Sequence, residues 1–88
     1  MTGGFELVID KRARKEILHI HQPDLKRLVA KIQALATQPF PVDAVRLTGL
    51  PAYRLRQGDW RILYEVDERA ATVTILKLAH RREVYRGL

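Results

Sequence analysis

The chain has 88 residues, 16 Lys+Arg against 10 Asp+Glu for a formal charge of +6, 47% hydrophobic residues and no cysteine. This length predicts one domain with a small core, and the missing cysteines exclude disulfides, thiolate nucleophiles and cysteine-ligated zinc and point to a reducing compartment. The chain is too apolar for a disordered tail, has no apolar run near the about 18–20 residues of a membrane span, and offers no basic stretch or apolar core of a secretion signal at Met1–Phe5, so a cytoplasmic, basic domain with an anionic partner is expected.

Phe5, Leu7 and Ile9 alternate with Glu6 and Val8 and read as a strand. Asp10 is placed to cap a helix. From Lys11 onward Ala13, Ile17 and Ile20 form one helical stripe, and Lys11, Arg12, Arg14 and Lys15 form the remaining face. Gln22-Pro23 should break this helix, because the residue before proline is pushed out of helical geometry. Leu25, Leu28, Val29, Ile32, Leu35 and Ala36 give the clearest helical period of the chain. That helix is expected to end near Thr37-Gln38-Pro39, and the pair reads as an α-hairpin.

After Asp43 the period changes from helix to strand. Tyr53 and Leu55 alternate with Arg54 and Arg56, which predicts a strand with an apolar face and an arginine face. Gln57-Gly58-Asp59 reads as a turn. Trp60, Ile62 and Tyr64 alternate with Arg61, Leu63 and Glu65 in a second strand, with Trp60 directed to the core. Asp67–Ala70 makes another turn, Ala71–Leu78 a third strand, and His80–Arg86 a short helical turn or tail. The expected fold is α+β: a two-helix hairpin packed on a small, mainly antiparallel sheet, in the order β-α-α-β-β-β plus a C-terminal tail. A single domain spans residues 1–88, with no repeat and no linker.

The excess charge is concentrated. Residues 1–45 hold 7 basic and 5 acidic side chains, whereas residues 46–88 hold 9 and 5, eight of those nine being arginine. Arginine is planar, always charged and suited to bidentate phosphate binding. Arg54 and Arg56 share a strand face, and a hairpin across Gln57–Trp60 brings Arg61 beside Arg56. The chain returns at His80-Arg81-Arg82 and Tyr85. Together these predict a sheet face with up to five arginines, one histidine and one tyrosine: a phosphate site, an arginine ladder paired with Glu65, Asp59 and Glu83, or a docking surface for an acidic partner. Other chemistries lack residues. There is no serine and no glycine-rich phosphate loop. His19 and His21 sit two apart, a spacing that does not share one helical face, so no metal site is expected. No cofactor is expected either.

Tyr53-Arg54-Leu55-Arg56-Gln57-Gly58-Asp59-Trp60-Arg61-Ile62-Leu63-Tyr64, followed after the third strand by His80-Arg81-Arg82-Glu83-Val84-Tyr85, resembles the RelE/ParE superfamily of bacterial toxin-antitoxin toxins. The resemblance covers Phe5 to Tyr85. It implies a RelE-like fold and a cognate antitoxin held in a hetero-oligomer. On the RelE-like branch it implies an mRNA interferase that cuts messenger RNA, generally in the decoding site of the ribosome. On the ParE-like branch it implies inhibition of DNA gyrase without the nuclease residues. Tyr85 and the His80-Arg81 pair favour the RelE side. The family's basic cleft positions are filled here by Arg54, Arg56, Arg61 and Arg81, and its terminal tyrosine by Tyr85. Relatives carry lysines where this chain has Arg54 and Arg56. Arginine is a poor general base, so the base falls to Tyr85 or His80.

These residues suit metal-independent cleavage with the RNA's own 2′-OH as nucleophile. Arg61 and Arg81 would hold the scissile phosphate, and Arg54, Arg56 and Arg82 would hold flanking phosphates or the phosphorane charge. Tyr85 or His80 would exchange the proton. A ring of arginines favours the phenolate form of a tyrosine. An acidic antitoxin segment wrapping a basic domain is the physically sensible inhibitor. The Lys11–Lys15 face is a second basic surface, suited to that segment or to ribosomal RNA.

Overall fold

The computed structural model describes residues 4–80. Its elements are β1 (Glu6–Ile9), α1 (Lys11–Ile17), α2 (Asp24–Ala34), β2 (Val45–Arg46), β3 (Tyr53–Gln57), β4 (Trp60–Asp67) and β5 (Thr72–His80). The strands form one sheet in the order β1-β5-β4-β3-β2. β1 runs parallel to β5, from Glu6↔Thr72 to Ile9↔Ile75, and every other pairing is antiparallel. The expected α+β order holds, with three differences of extent.

The first is β2. Val45 pairs with Arg54 and Arg46 with Tyr53, a two-residue strand too short for any periodicity to reveal. The second concerns the helices. α1 stops at Ile17, and Ile20 reaches the core from the following turn, where amides of His19 and Ile20 bond three residues back. α2 likewise gives way at Leu35 to i→i−3 bonds, yet Leu35 stays buried. The third is β5, which runs to His80 rather than ending before it. The remainder of the predicted C-terminal tail, from Arg81 onward, lies outside the described residues.

Both helices pack on one face of the sheet. Ala13, Leu28, Ile32 and Leu35 meet Leu55, Ile62, Tyr64, Val73, Ile75 and Leu78 in a single core. Trp60 packs against its edge, on the predicted side, and its indole Nε1 donates to Asp24 Oδ2 at 3.0 Å. Truncating a central member such as Ile62 to alanine costs about 2–5 kcal/mol. Tyr64 is fully buried; its hydroxyl donates to the Pro39 carbonyl at 2.9 Å, and its ring stacks on Tyr53.

Two local features shape the face opposite the helices. Gly58 has φ +60° and opens the two-residue loop between Gln57 and its partner Trp60; glycine at the first central position is what a type II′ hairpin turn requires. On β5 the register jumps from Leu63↔Lys77 to Tyr64↔Ile75, leaving Leu76 as the extra residue of a bulge. The bulge resets the alternation, so that Ile75 and Leu78 both face the core. Among the described residues β5 has no strand partner on its β1 side beyond Ile9, and the Glu16 carboxylate of α1 accepts from the Leu78 amide at 2.7 Å instead.

Candidate nucleic-acid site

Strand pairing sets the geometry of the arginine face. Leu55 opposes Ile62 and Tyr53 opposes Tyr64, both toward the helices. The alternate rows, Arg56↔Arg61 and Arg54↔Leu63, therefore point to the other side. Arg54, Arg56 and Arg61 line one open groove of about 500 Å³ with Gln57, Gly58, Val45 and Asp43. Like charges placed directly opposite on a sheet repel, so the Arg56–Arg61 pair gains when an anion lies between them. Arg61 is held over the hairpin turn: its Nη1 donates to the carbonyls of Gly58 at 3.3 Å and Trp60 at 3.1 Å.

Asp43 is the acidic member of the groove. It accepts from Lys31 Nζ at 3.1 Å, and that hydrogen bond first, with its own backbone amide adding, holds its carboxyl below the usual range. Tyr64, beneath the face, is shifted the other way. Burial, and then Tyr53 and Asp43, push its hydroxyl up to about 12, so it is neutral at physiological pH and serves packing.

The structure thus brings together Arg54, Arg56 and Arg61. It does not bring His80 to them. His80 pairs with Trp60 and shares the side of Leu78, the helix side of the sheet. Its ring sits edge-on to the Trp60 indole, with centroids 5.9 Å apart. The adjacent residue, Ala79, is the one that pairs with Arg61 on the arginine side. Arg81, Arg82 and Tyr85 lie outside the described residues. Among the described residues there is no grouping of three or more His, Asp or Glu that holds a metal, and no helix is long and apolar enough to cross a membrane.

Lys77 was not singled out by the sequence. It pairs with Leu63, in the same cross-sheet row as Arg54, and is only 6% exposed. Its signal was weak because the bulge at Leu76 hides which face it takes.

The family model for the ParE toxin of the type II toxin-antitoxin system matches residues 7–85. A relative provisionally named toxin RelE1, from Methanocaldococcus jannaschii, is 31% identical over 87 residues, covering 94% of this chain and 97% of its own. The archaeal RelE–RelB complex of Pyrococcus horikoshii contains a chain that superposes with a TM-score of 0.78 at 28% identity, over 88% of this chain and 94% of that one. The RelBE toxin-antitoxin complex of E. coli gives 0.74 at 25% identity, over 86% and 95%. With the sheet order, the helix pair and the arginine face already in place, these matches make the chain a type II toxin-antitoxin toxin of the RelE/ParE superfamily.

Proposed function

We propose that this toxin is a metal-independent endoribonuclease that cleaves messenger RNA through the RNA 2′-OH and acts on the ribosome. The observation that carries the reading is the convergence of Arg54, Arg56 and Arg61 on one face of the sheet. A groove with three guanidinium groups suits a chain of phosphates and the extra charge of a phosphorane. Arg61 and Arg81 hold the scissile phosphate in this reading, and Arg54, Arg56 and Arg82 hold its neighbours. With His80 on the helix side of the sheet, the proton falls to Tyr85. The partner is an acidic antitoxin, in line with the RelE–RelB and RelBE complexes of the relatives.

The test uses purified toxin, ribosomes and a short message, intact or carrying a single 2′-deoxynucleotide at the cut site. The intact message should be cut, and the 2′-deoxy message should survive. Equal cutting of both would remove the 2′-OH mechanism. Loss of cutting in Tyr85→Phe with retention in His80→Ala would assign the base; the reverse pattern would return it to His80.

One observation favours a second reading: the matching family model is that of the ParE toxin. Under it the basic face docks on DNA gyrase, and neither Tyr85 nor His80 is needed.

A further inference from the structure

The arginine face continues beyond the groove. Arg54 pairs with Leu63 and Leu63 with Lys77, so the three stand in one row across β3, β4 and β5, roughly 4.5–5.5 Å apart per step. The row leads into a second pocket of about 240 Å³ between the 47–52 loop and strands β4 and β5. Its walls are Leu47, Leu50, Leu63 and Leu76, and its charged residues are Arg12, Glu65 and Lys77. Lys77 is the sole buried charged residue among the described residues; lysine is almost never buried so fully unless it is paired, and Lys77 is itself engaged.

This lining differs in kind from the groove next to it. Four leucines line it where the groove has three arginines, and Glu65 adds an acceptor that a phosphate cannot use. The lining suits a flat group with apolar faces and an edge that both donates and accepts. The volume is below the roughly 300–1,000 Å³ of pockets for drug-sized ligands, so a single ring system is the appropriate size. A nucleobase meets each requirement. Single-stranded RNA is read by splaying bases out of the stack and bonding their edges. A base attached to a phosphate on Arg54 lies within one or two strand spacings of the pocket.

We propose that the Leu50–Leu63–Lys77 pocket is a nucleobase subsite, occupied by the base of a nucleotide whose phosphate rests on the arginine groove. It rests on the RNA reading of that groove. Glu65 accepts from the base's N–H groups, Arg12 or Lys77 donates to a ring nitrogen or carbonyl, and the leucines cover the faces. The pocket then discriminates between bases, which the phosphate groove does not.

The experiment measures binding of the full chain, on ribosomes, to short 2′-O-methyl messages, which cannot be cut, with an abasic residue placed at each position in turn. At one position, removing the base should weaken wild-type binding about five-fold or more. Leu50→Ala, at an exposed loop position, should shrink that loss, and Glu65→Gln should reorder the four bases there. Arg56→Ala should weaken every oligonucleotide alike. Binding indifferent to every base, or an unchanged base order in folded Leu50→Ala and Glu65→Gln, overturns the subsite. So does a pattern in which these variants lose affinity only for an acidic antitoxin, which would make the surface a protein dock. Absence of any RNA binding overturns the groove reading and the subsite with it, whereas base-blind binding overturns the subsite alone.

Discussion

At the scale of single residues the groove is a balance of three arginines and one aspartate. Arg61 is anchored by two turn carbonyls, so its guanidinium is preorganised for a planar, two-point contact that lysine cannot reproduce. Arg61→Lys should therefore recover little of the cleavage lost in Arg61→Ala, a loss of about 10²–10³ in kcat if the group stabilises the transition state. Single-turnover kinetics would read this, and full recovery by lysine would reduce Arg61 to a point charge. Asp43 works against the anion. Asp43→Asn should tighten RNA binding and leave melting nearly unchanged, since its ion pair with Lys31 is exposed; titration at several salt concentrations would show it. Tyr64 has an alkaline signature. Its folded pKa is raised from 10.0 to about 12. The stability it contributes is present below about pH 10 and is lost as pH rises through about 12. Tyr64→Phe should lose about 1 kcal/mol at neutral pH through the Pro39 carbonyl, and should flatten the fall between pH 10 and 12 relative to wild type in urea titrations.

At the scale of elements the legible parts were those with a strong period. The α2 stripe and the Tyr53–Tyr64 alternation named the helix-facing residues and placed Arg54 and Arg56 on the opposite side. Gly58 announced the hairpin that sets Arg61 against Arg56. His80 was misplaced because a residue's face depends on register. The bulge at Leu76 shifts β5 by one residue, and no sequence period marks where a ladder inserts one. Lys77 stayed unnoticed for the same reason. β2 is too short to carry a pattern. The contact of Glu16 with Leu78 spans 62 residues and is a tertiary event, invisible to local spacing. That contact closes the free edge of β5 where β1 ends. Glu16→Ala should cost about 1–3 kcal/mol by orphaning the amide, and Glu16→Gln much less because its carbonyl still accepts. Hydrogen exchange of the Leu78 amide would separate them: fast in the first variant, slow in the second. Equal protection in both would mean the edge is closed by other means.

At the scale of the whole molecule, the sheet divides two tasks. Its helix side holds the core, with the Trp60–Asp24 link tying the β3–β4 hairpin to α2. Its other side carries the arginines. As an RNA-cleaving toxin, a basic chain of 88 residues with charge +6 would gain affinity from every phosphate it neutralises, and the same field would attract an acidic antitoxin. In the proposed reading one surface serves both attack and restraint, and the two anions compete for it. The choice between message and gyrase as the target is the central issue. The most direct measurement maps 5′ ends of cellular messenger RNA after induction of wild-type toxin and of Arg61→Ala. An RNA-cleaving toxin gives codon-spaced cuts with wild type and loses them in Arg61→Ala. Intact messages with gyrase-dependent DNA breaks would contradict that reading.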